Sequence, residues 1–296
     1  MILIKAWRIR ISIHPLFLFV LASAALMGYF LELIALFTFV IVHELGHLIM
    51  ARQLGWKIIG VKLLPFGGVL EVDERQSHRA KDEILVAIAG PLQNMWLIII
   101  IYMLGEASLI TYDWMTYLIK ANIWLVAFNL MPILPLDGGK IVFAILSYFV
   151  SFHQTLQWTS MISLICALMM LVYAALYGFL HNGSGPQLNL LIVSSYFIYE
   201  NWIRYRQLPY LFYRFVLARP TYLNELEAVK QSLSPIIVQA EQKLLDVLKL
   251  LKREHLQVIC LVEQHNKELK IKSERELMQF SMQANHLHRA VMELFR

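Results

Sequence analysis

The sequence predicts an α-helical polytopic membrane protein with about six transmembrane helices, a membrane-associated β-hairpin and a small α/β domain at its C-terminal end. Two observations predict this fold class. Apolar residues make up 58% of the 296 residues and charged residues only 16%, which leaves too little polar surface for a soluble globule. The charges are also unevenly distributed, with 24 in residues 1–207 and 23 in the much shorter 208–296. We therefore expect a membrane domain over 1–207 and a cytoplasmic domain over 208–296.

Six apolar segments in the first 207 residues are each long enough to cross a bilayer as a helix, which takes about 20 residues. They cover 16–33, 34–54, 84–104, 118–136 with a continuation to about 150, 156–180 and 188–203. The first segment contains Ala22-Ser23-Ala24, which resembles a signal-peptidase site. Only a short apolar stretch precedes it and the hydrophobicity continues beyond it, so we expect an uncleaved first span.

Basic residues of the membrane half are concentrated on one side of the predicted spans. That side carries the Lys and Arg residues of 5–10, 52–81, 140 and 204–206, whereas the connections 105–117 and 181–187 carry none. The positive-inside rule therefore places both termini in the cytoplasm. No basic run or aromatic ladder accompanies the formal net charge of +5, so nucleic acid is not a predicted partner.

Residues 58–72, IIGVKLLPFGGVLEV, are predicted to form two short strands around a turn between the second and third spans. Pro65 and the pair Gly67-Gly68 disfavour a helix, and the flanking residues are β-branched and apolar. Such backbone is tolerated at membrane depth only where it lines a cavity or is covered by protein. The segment therefore predicts a re-entrant hairpin beside a cavity, with a surface hairpin as the alternative.

The second span contains His43-Glu44-Leu45-Gly46-His47 in the middle of an apolar run. Histidines four residues apart lie on one face of a helix, so both imidazoles point to one place, where they can bind zinc. The intervening glutamate can then sit beside a water molecule at that place. Ionisable groups at this depth usually pair, bind an ion or face a cavity. The trio therefore predicts an intramembrane site for one zinc ion per chain, with a satisfied structural role as the alternative.

A catalytic zinc usually has three protein ligands, and the third candidate lies about 90 residues further along the chain. The segment NLMPILPLDGGK, residues 129–140, interrupts the fourth span with Pro132 and Pro135. The prolines leave backbone groups of this span without helical hydrogen bonds, and Gly138-Gly139 lets other segments approach the backbone closely. Asp137 is therefore expected to lie on a bend inside the protein. Because the second and fourth spans both run inward, the two histidines and this carboxylate can lie at similar depth.

Four motifs in this order resemble the site-2 protease family of intramembrane zinc metalloproteases, peptidase family M50. They are HELGH at 43–47, FGG at 66–68, AGPLQN at 89–94 and NLMPILPLDGG at 129–139. Within that family the whole chain is similar to the branch that processes the precursor of a mother-cell sigma factor during endospore formation. The motifs cover roughly residues 10–145, and the later spans resemble that branch mainly in number and spacing.

The resemblance implies that His43, His47 and Asp137 bind zinc and that Glu44 is the general base. It also implies that two segments help to hold the substrate, the hairpin with Phe66, Gly67 and Gly68 and the loop with Asn129, Pro132 and Pro135. From the residues alone, Asn129 fits a substrate hydrogen bond and an amide that caps the broken helix equally well. Asn94 in the third span is expected to pack or to position a loop.

The resembled branch also implies a setting for the reaction. The substrate there is a pro-sigma factor tethered at the membrane and cut near the cytoplasmic face. Inhibitory membrane proteins are expected partners. We accordingly expect a multi-pass protein in the bacterial mother-cell membrane that surrounds the forespore.

The cytoplasmic tail has the pattern of a small soluble domain. An apolar start at 234–236, a helix at 239–253, strands at 256–262 and 269–271 and a helix from Ser273 to about Met282 are predicted. This order resembles a single cystathionine-β-synthase-type (CBS) module, which implies pairing of tails into a homo-oligomer and binding of ATP or another adenine nucleotide. The usual nucleotide signature is not visible at 273–276, so nucleotide-binding residues are unknown. Docking of a cytoplasmic substrate is a further expectation.

A non-proteolytic membrane scaffold or transporter, in which the polar groups line an ion path, is the contrasting class. Transporters commonly contain internal repeats with paired broken helices. The HELGH motif has no counterpart in the second half of the chain. The sequence therefore favours a zinc metalloendopeptidase.

Overall fold

A computed structural model describes residues 2–6, 9–13, 28, 30–64, 67–72, 79–180, 187–228, 233–262, 269–282 and 290–295. These residues are mostly helical with small sheets, as predicted. The chain forms two compact units, the first made of Met1–Met131 and Pro135–Ile141 and the second of Pro132–Leu134 and Val142–Arg296. A domain boundary near residue 207 stays a prediction.

Helices α1 (Phe30–Gln53), α2 (Ala80–Glu106) and α3 (Tyr112–Asn129) form the helical part of the first unit, and α4 (Asp137–Phe149) begins in it. Helix α2 packs against both α1 and α3. The helices are apolar on most sides, and large side chains such as Ile41, Ile100 and Trp124 are exposed. A helix that is apolar all round belongs in lipid or in a protein core, so these exposed side chains indicate a lipid-facing surface.

Three helices of the described residues are long and apolar enough to cross a membrane, namely Phe30–Gln53, Ala80–Glu106 and Phe152–Tyr177. They coincide with the predicted spans at 34–54, 84–104 and 156–180. Six spans are not confirmed, because the helices near the predicted spans at 118–136 and 188–203 are not among the three. Most of the predicted first span, including residues 14–27, lies outside the described residues.

A four-stranded sheet completes the first unit. Its strands are β1 (Ile2–Ala6), β2 (Ile9–Ile13), β3 (Ile58–Leu64) and β4 (Gly67–Val72), in the spatial order β1-β2-β3-β4. Strands β3 and β4 form the hairpin predicted from the breakers, with Leu64 opposite Gly67. The parallel pairing of β2 with β3 and the antiparallel pair β1 and β2 were not predicted. Strand β4 lies at an edge of this sheet and packs against α1.

The second unit contains α5 (Phe152–Leu180), α6 (Leu188–Arg206) and α7 (Leu208–Ala228), followed by a small α/β fold. That fold consists of β5 (Leu233–Val238), α8 (Leu244–Lys249), β6 (Leu256–Val262), β7 (Leu269–Ser273), α9 (Glu274–Ser281) and a final 3-10 turn (Val291–Phe295). Strand β5 is parallel to β6 and β6 is antiparallel to β7. The order of elements is the predicted one, but assignment to the CBS class remains a prediction.

The first helix of the α/β fold is shorter than the predicted 239–253. It begins after Lys243, whose backbone is extended, and residues 250–255 form a loop. Leu244, Val247, Leu248 and Leu251 are fully buried, so the helix has a buried apolar face and the predicted length was overestimated. They share one core with Leu156 of α5 and with Leu208, Phe212, Phe215 and Val216 of α7. The α/β fold therefore packs against α5 and α7 of its own unit.

Candidate active site

Helix α1 carries His43 and His47 on its buried side, with only 2% and 4% of each residue exposed. Their spacing places them one turn apart on the same helix face, as the motif predicts. Glu44 is half-buried, and His43, Glu44 and His47 each offer a ligand atom within 4.8 Å of the others. The three residues of the motif therefore form one cluster at which a metal ion can bind.

The carboxylate of Asp137 lies against both imidazoles. Asp137 Oδ2 is 3.0 Å from His43 Nε2 and 3.0 Å from His47 Nε2, and the two Nε2 atoms are 3.1 Å apart. The structure thus brings a residue of the broken fourth span to the histidines of the second, 94 residues away in sequence. Asp137 is 3% exposed, so all three side chains are withdrawn from solvent.

Helix α2 closes the site on the side of Gly90. A Cβ atom at this position would overlap Nε2 of both His43 and His47. The carbonyl oxygen of Val86, one turn earlier on α2, accepts a hydrogen bond from His47 Nδ1 at 2.7 Å. That bond orients the ring and leaves His47 Nε2 as the atom directed at Asp137. A glycine at position 90 is therefore required for the imidazoles to pack against α2.

Asp137 is positioned by the chain on either side of it. It is the first residue of α4, and a Cβ at Gly138 would overlap the backbone carbonyls of Leu130 and Met131. The chain can therefore fold back closely before α4 begins. Lys140, one turn into α4, donates a hydrogen bond from Nζ to Asp137 Oδ1 at 2.9 Å. Because Oδ1 is engaged by the ammonium group, Oδ2 is the oxygen that faces the histidines.

This arrangement fits a zinc ion. Ligand atoms of tetrahedral zinc, each about 2.0–2.1 Å from the metal, lie about 3.3 Å from one another. The three mutual distances of 3.0–3.1 Å are close to that value. Two imidazole nitrogens and a carboxylate oxygen are also a usual donor set for zinc, and three protein ligands leave a position open for chemistry.

The role of the residues predicted to hold substrate stays a prediction, and the structure gives only their positions. Asn129 is the last residue of α3 and donates from Nδ2 to the carbonyl of Leu125 at 3.0 Å, which is the capping alternative for that amide. Pro132 and Pro135 lie in the non-helical segment between α3 and α4. Gly67 and Gly68 begin the edge strand β4, and Phe66 lies outside the described residues.

Several contributing groups were missed by the sequence reasoning. Lys140 was used only as one of the basic residues that predict the membrane orientation. Its spacing of three residues from Asp137 on a helix nevertheless indicates that the two side chains are in contact. In the second unit, Ser163 and Asn201 bond to the backbone of Leu134, between the two prolines. The Leu134 N–H donates to Ser163 Oγ, and Asn201 Nδ2 donates to the Leu134 carbonyl. These bonds satisfy backbone groups freed by the prolines, and no sequence pattern points to them.

A helix long and apolar enough to cross a membrane that carries a His, Glu and His cluster, with a buried Asp carboxylate against both imidazoles, is typical of the class of intramembrane zinc metalloproteases. The family model for peptidase family M50 matches residues 31–111 and 106–174. The chain is also 35% identical to the stage IV sporulation protein FB of Bacillus subtilis over 249 residues, which is 83% of this chain and 82% of that protein. The chain therefore belongs to peptidase family M50.

A relative and a solved structure, both from Methanocaldococcus jannaschii, support the same conclusion. A zinc metalloprotease of Methanocaldococcus jannaschii is 33% identical over 184 residues, covering 59% of this chain and 53% of that protein. The solved structure of the site-2 protease from Methanocaldococcus jannaschii is similar with a TM-score of 0.54 and 30% identity, covering 69% of this chain and 94% of that one. The family resemblance seen in the motifs is thus confirmed, and the chain is a zinc metalloprotease of the site-2 type.

Proposed function

We propose that this chain hydrolyses a peptide bond of a membrane-tethered protein near the cytoplasmic face, with zinc held by His43, His47 and Asp137. The convergence of the three ligand atoms within 3.0–3.1 Å supports this proposal most strongly. Zinc, when bound, lowers the pKa of a water it holds to about 7 and polarises the scissile carbonyl.

Glu44 is the general base of the proposed reaction. Its carboxylate lies within 4.8 Å of the histidine ligand atoms, which leaves room for one water molecule between them. Glu44 takes a proton from that water as it attacks the peptide carbon and delivers the proton to the leaving amine. The peptide C–N bond breaks as the new C–O bond is completed, so water is consumed and no redox partner is needed.

Strand β4 holds the substrate in an extended form. A peptide bond inside a helix is shielded by its neighbours, so substrate has to unwind before hydrolysis. Among the described residues, β4 has no strand on its outer side, and it packs against the helix that carries the histidines. An extended peptide can add to such an edge through main-chain hydrogen bonds. Pro132, Pro135 and Asn129 assist from the loop before Asp137, where Asn129 Oδ1 is the atom offered to substrate.

The proposed substrate class is the one that the resemblance implies, and the similarity to a sporulation protein over most of this chain's length supports it. We propose a pro-sigma factor, tethered to the mother-cell membrane around the forespore, as the protein that is cut. Inhibitory membrane proteins are the accompanying partners, and both termini of the chain lie in the cytoplasm.

Residues 208–296 form the proposed cytoplasmic domain, with a CBS-like role in regulation and substrate docking. Pairing of two such domains gives a homo-oligomer in this proposal. Binding of ATP or another adenine nucleotide stays a subsidiary expectation, without residues assigned to it.

Cleavage of a tethered substrate by the purified full-length protein tests the proposal. We expect Glu44→Gln to retain zinc and fold while the cleavage rate falls by about 10²- to 10⁴-fold, the usual contribution of a general base. Rates are measured after reconstitution with a membrane-tethered pro-sigma factor, and zinc by elemental analysis. Glu32→Gln, in the first turn of the same helix, is the matched control and is expected to cleave normally. Retained cleavage by Glu44→Gln would remove that residue from its role.

A further inference from the structure

Two fully buried asparagines lie together in the first unit, Asn94 on α2 and Asn122 on α3, each 0% exposed. Asn122 Nδ2 donates to the backbone carbonyl of Asn94 at 2.7 Å. Both polar atoms of the Asn94 side chain, Oδ1 and Nδ2, and Asn122 Oδ1 have no hydrogen-bond partner among the residues that the structure describes. A buried amide without partners is costly in an apolar bundle, so these atoms call for a functional explanation.

His43 has a matching unsatisfied atom. Its Nε2 is directed at Asp137, but its Nδ1 is buried and has no partner in the described part of the chain, whereas Nδ1 of His47 is bonded to the Val86 carbonyl. A histidine that binds a metal through Nε2 carries its proton on Nδ1 and almost always donates it to an acceptor that fixes the ring. The acceptor for His47 Nδ1–H is therefore the Val86 carbonyl, whereas an acceptor for His43 Nδ1–H has still to be assigned.

The antiparallel packing of α1 and α2 places Asn94 at the level of His43. Gly90 touches Nε2 of both histidines, and Val86, one turn before it, bonds His47. Further along, Phe39 of α1 shares a cluster with Leu97 and Ile101 of α2. One turn from His47 back to His43 on α1 therefore corresponds to one turn from Gly90 forward to Asn94 on α2.

We propose that Asn94 is the positioning residue for His43. The Nδ1–H group of His43 donates a hydrogen bond to a bound water molecule, and that water donates a hydrogen bond to Asn94 Oδ1. Asn94 Nδ2 and Asn122 Oδ1, which are not bonded to each other in the structure, join the same network through water, so that all four unpaired atoms are satisfied. Asn122 in turn anchors the turn of α2 that carries Asn94 through its bond to the Asn94 carbonyl. The inference rests on the proposed zinc site, because only a metal on Nε2 requires the proton to reside on Nδ1.

The test compares Asn94→Leu, which removes the acceptor at similar volume, with Asn94→Asp, which keeps an oxygen at the same position. Zinc affinity of the full-length protein in detergent is measured by competition with a chelator. We expect Asn94→Leu to bind zinc about 10- to 100-fold more weakly, the usual cost of losing such a partner. Asn94→Asp is expected to bind zinc close to the parent affinity. A purely structural amide would show the opposite ranking, because a carboxyl group is harder to bury than leucine.

A spectroscopic measurement decides the matter if Asn94→Leu does not fold. In zinc-loaded protein labelled with ¹⁵N-histidine, Asn94→Asp should shift the Nδ1–H resonance of His43 and leave that of His47 in place. Parent-like zinc affinity of folded Asn94→Leu, or an unmoved His43 resonance in Asn94→Asp, would overturn the proposal. A parent protein that binds no zinc would instead contradict the proposed function itself.

Discussion

Two clusters of buried ionisable residues, one in each compact unit, differ in how their hydrogen-bonding atoms are matched. In the first unit, two imidazole nitrogens and a carboxylate oxygen converge on one point. In the second, Arg219 is 1% exposed and donates from Nε and Nη2 to the two carboxylate oxygens of Glu274 at 2.6 and 3.2 Å. Nη1 and Nη2 also donate to the carbonyls of Arg253 and His255 at 2.6 and 2.7 Å.

The difference shows how a site can be told from a structural ion pair. In the arginine cluster the guanidinium nitrogens each donate to an oxygen acceptor. The guanidinium carbon of Arg219 also lies 5.5 Å from the centroid of the Phe215 ring and 5.7 Å from that of the Tyr222 ring. Burial and the nearby Glu254 carboxylate raise the pKa of Tyr222, whose hydroxyl donates to Glu254 Oε1 at 3.3 Å. The histidine cluster gathers three metal-ligand atoms in one place, and such a set is completed by a cation.

Removing a ligand from the histidine cluster is expected to have the largest effect. Asp137→Ala should lose zinc and with it all measurable cleavage, because two imidazoles alone hold the ion weakly. Elemental analysis and chelator competition check this, with Asp113→Ala at the start of α3 as the control. Unchanged zinc stoichiometry in Asp137→Ala would mean that another group is the third ligand.

Breaking the arginine cluster should cost stability and leave the zinc site intact. Arg219→Met leaves Glu274 buried without its partner, and we expect a loss of about 3–5 kcal/mol in the free energy of unfolding. The double variant Arg219→Met, Glu274→Met should lose much less, since no orphan charge remains. Unfolding of the full-length protein measures both. Loss of zinc by either folded variant would contradict the contrast between the clusters.

Filling the space at Gly90 is expected to have an intermediate effect on stability and on the histidine cluster. In Gly90→Ala the new methyl group overlaps both Nε2 atoms, so we expect about 1–3 kcal/mol of overpacking strain together with weaker zinc binding. Leu92→Ala changes an exposed residue of the same turn and is the control. Parent-like zinc affinity in Gly90→Ala would show that the imidazoles can move aside without consequence.

The smallest effect is expected at the cap of α9. Ser273 Oγ accepts from the Glu276 N–H at 3.3 Å, and Glu276 Oε2 accepts from the Ser273 N–H at 2.9 Å. Ser273→Ala should therefore lower the free energy of unfolding by about 1 kcal/mol.

The pH dependence of this cap has a defined sign. The backbone hydrogen bond from Ser273 lowers the pKa of Glu276, followed by the bond from Lys272. The contribution of Glu276 is therefore present above the ordinary glutamate pKa and is lost as pH falls through the lowered value. A parent and a Glu276→Gln variant whose free energies of unfolding respond identically to acid would contradict it, because the variant keeps the Ser273 N–H donor but has no titrating carboxylate.

Local patterns carried most of what could be predicted. Spacing placed His43 and His47 on one helix face, and the breakers Pro65 and Gly67-Gly68 marked the β3–β4 hairpin. The protease class was confirmed by the comparisons, whereas the roles of individual site residues stay predictions. The pairing of β2 with β3 was missed because the alternation in Ile9-Arg10-Ile11-Ser12-Ile13 indicates a strand but not its partner about 50 residues further along the chain. The unpaired atoms of Asn94 and Asn122 among the described residues are likewise a property of packing, which no single-chain pattern encodes.

The start of α5 has a consequence for any shortened form of the protein. The backbone N–H of Phe152, the first residue of this apolar helix, donates to the carbonyl of Leu251 at 2.8 Å, and the Phe152 ring stacks on Phe215 at 4.0 Å. A helix whose first peptide group is capped from a distant loop loses that cap when the loop is deleted. Truncation after residue 207 would therefore uncover aromatic surface and fray a bilayer-crossing segment, and loss of turnover in such a fragment would say nothing about signalling by the missing tail.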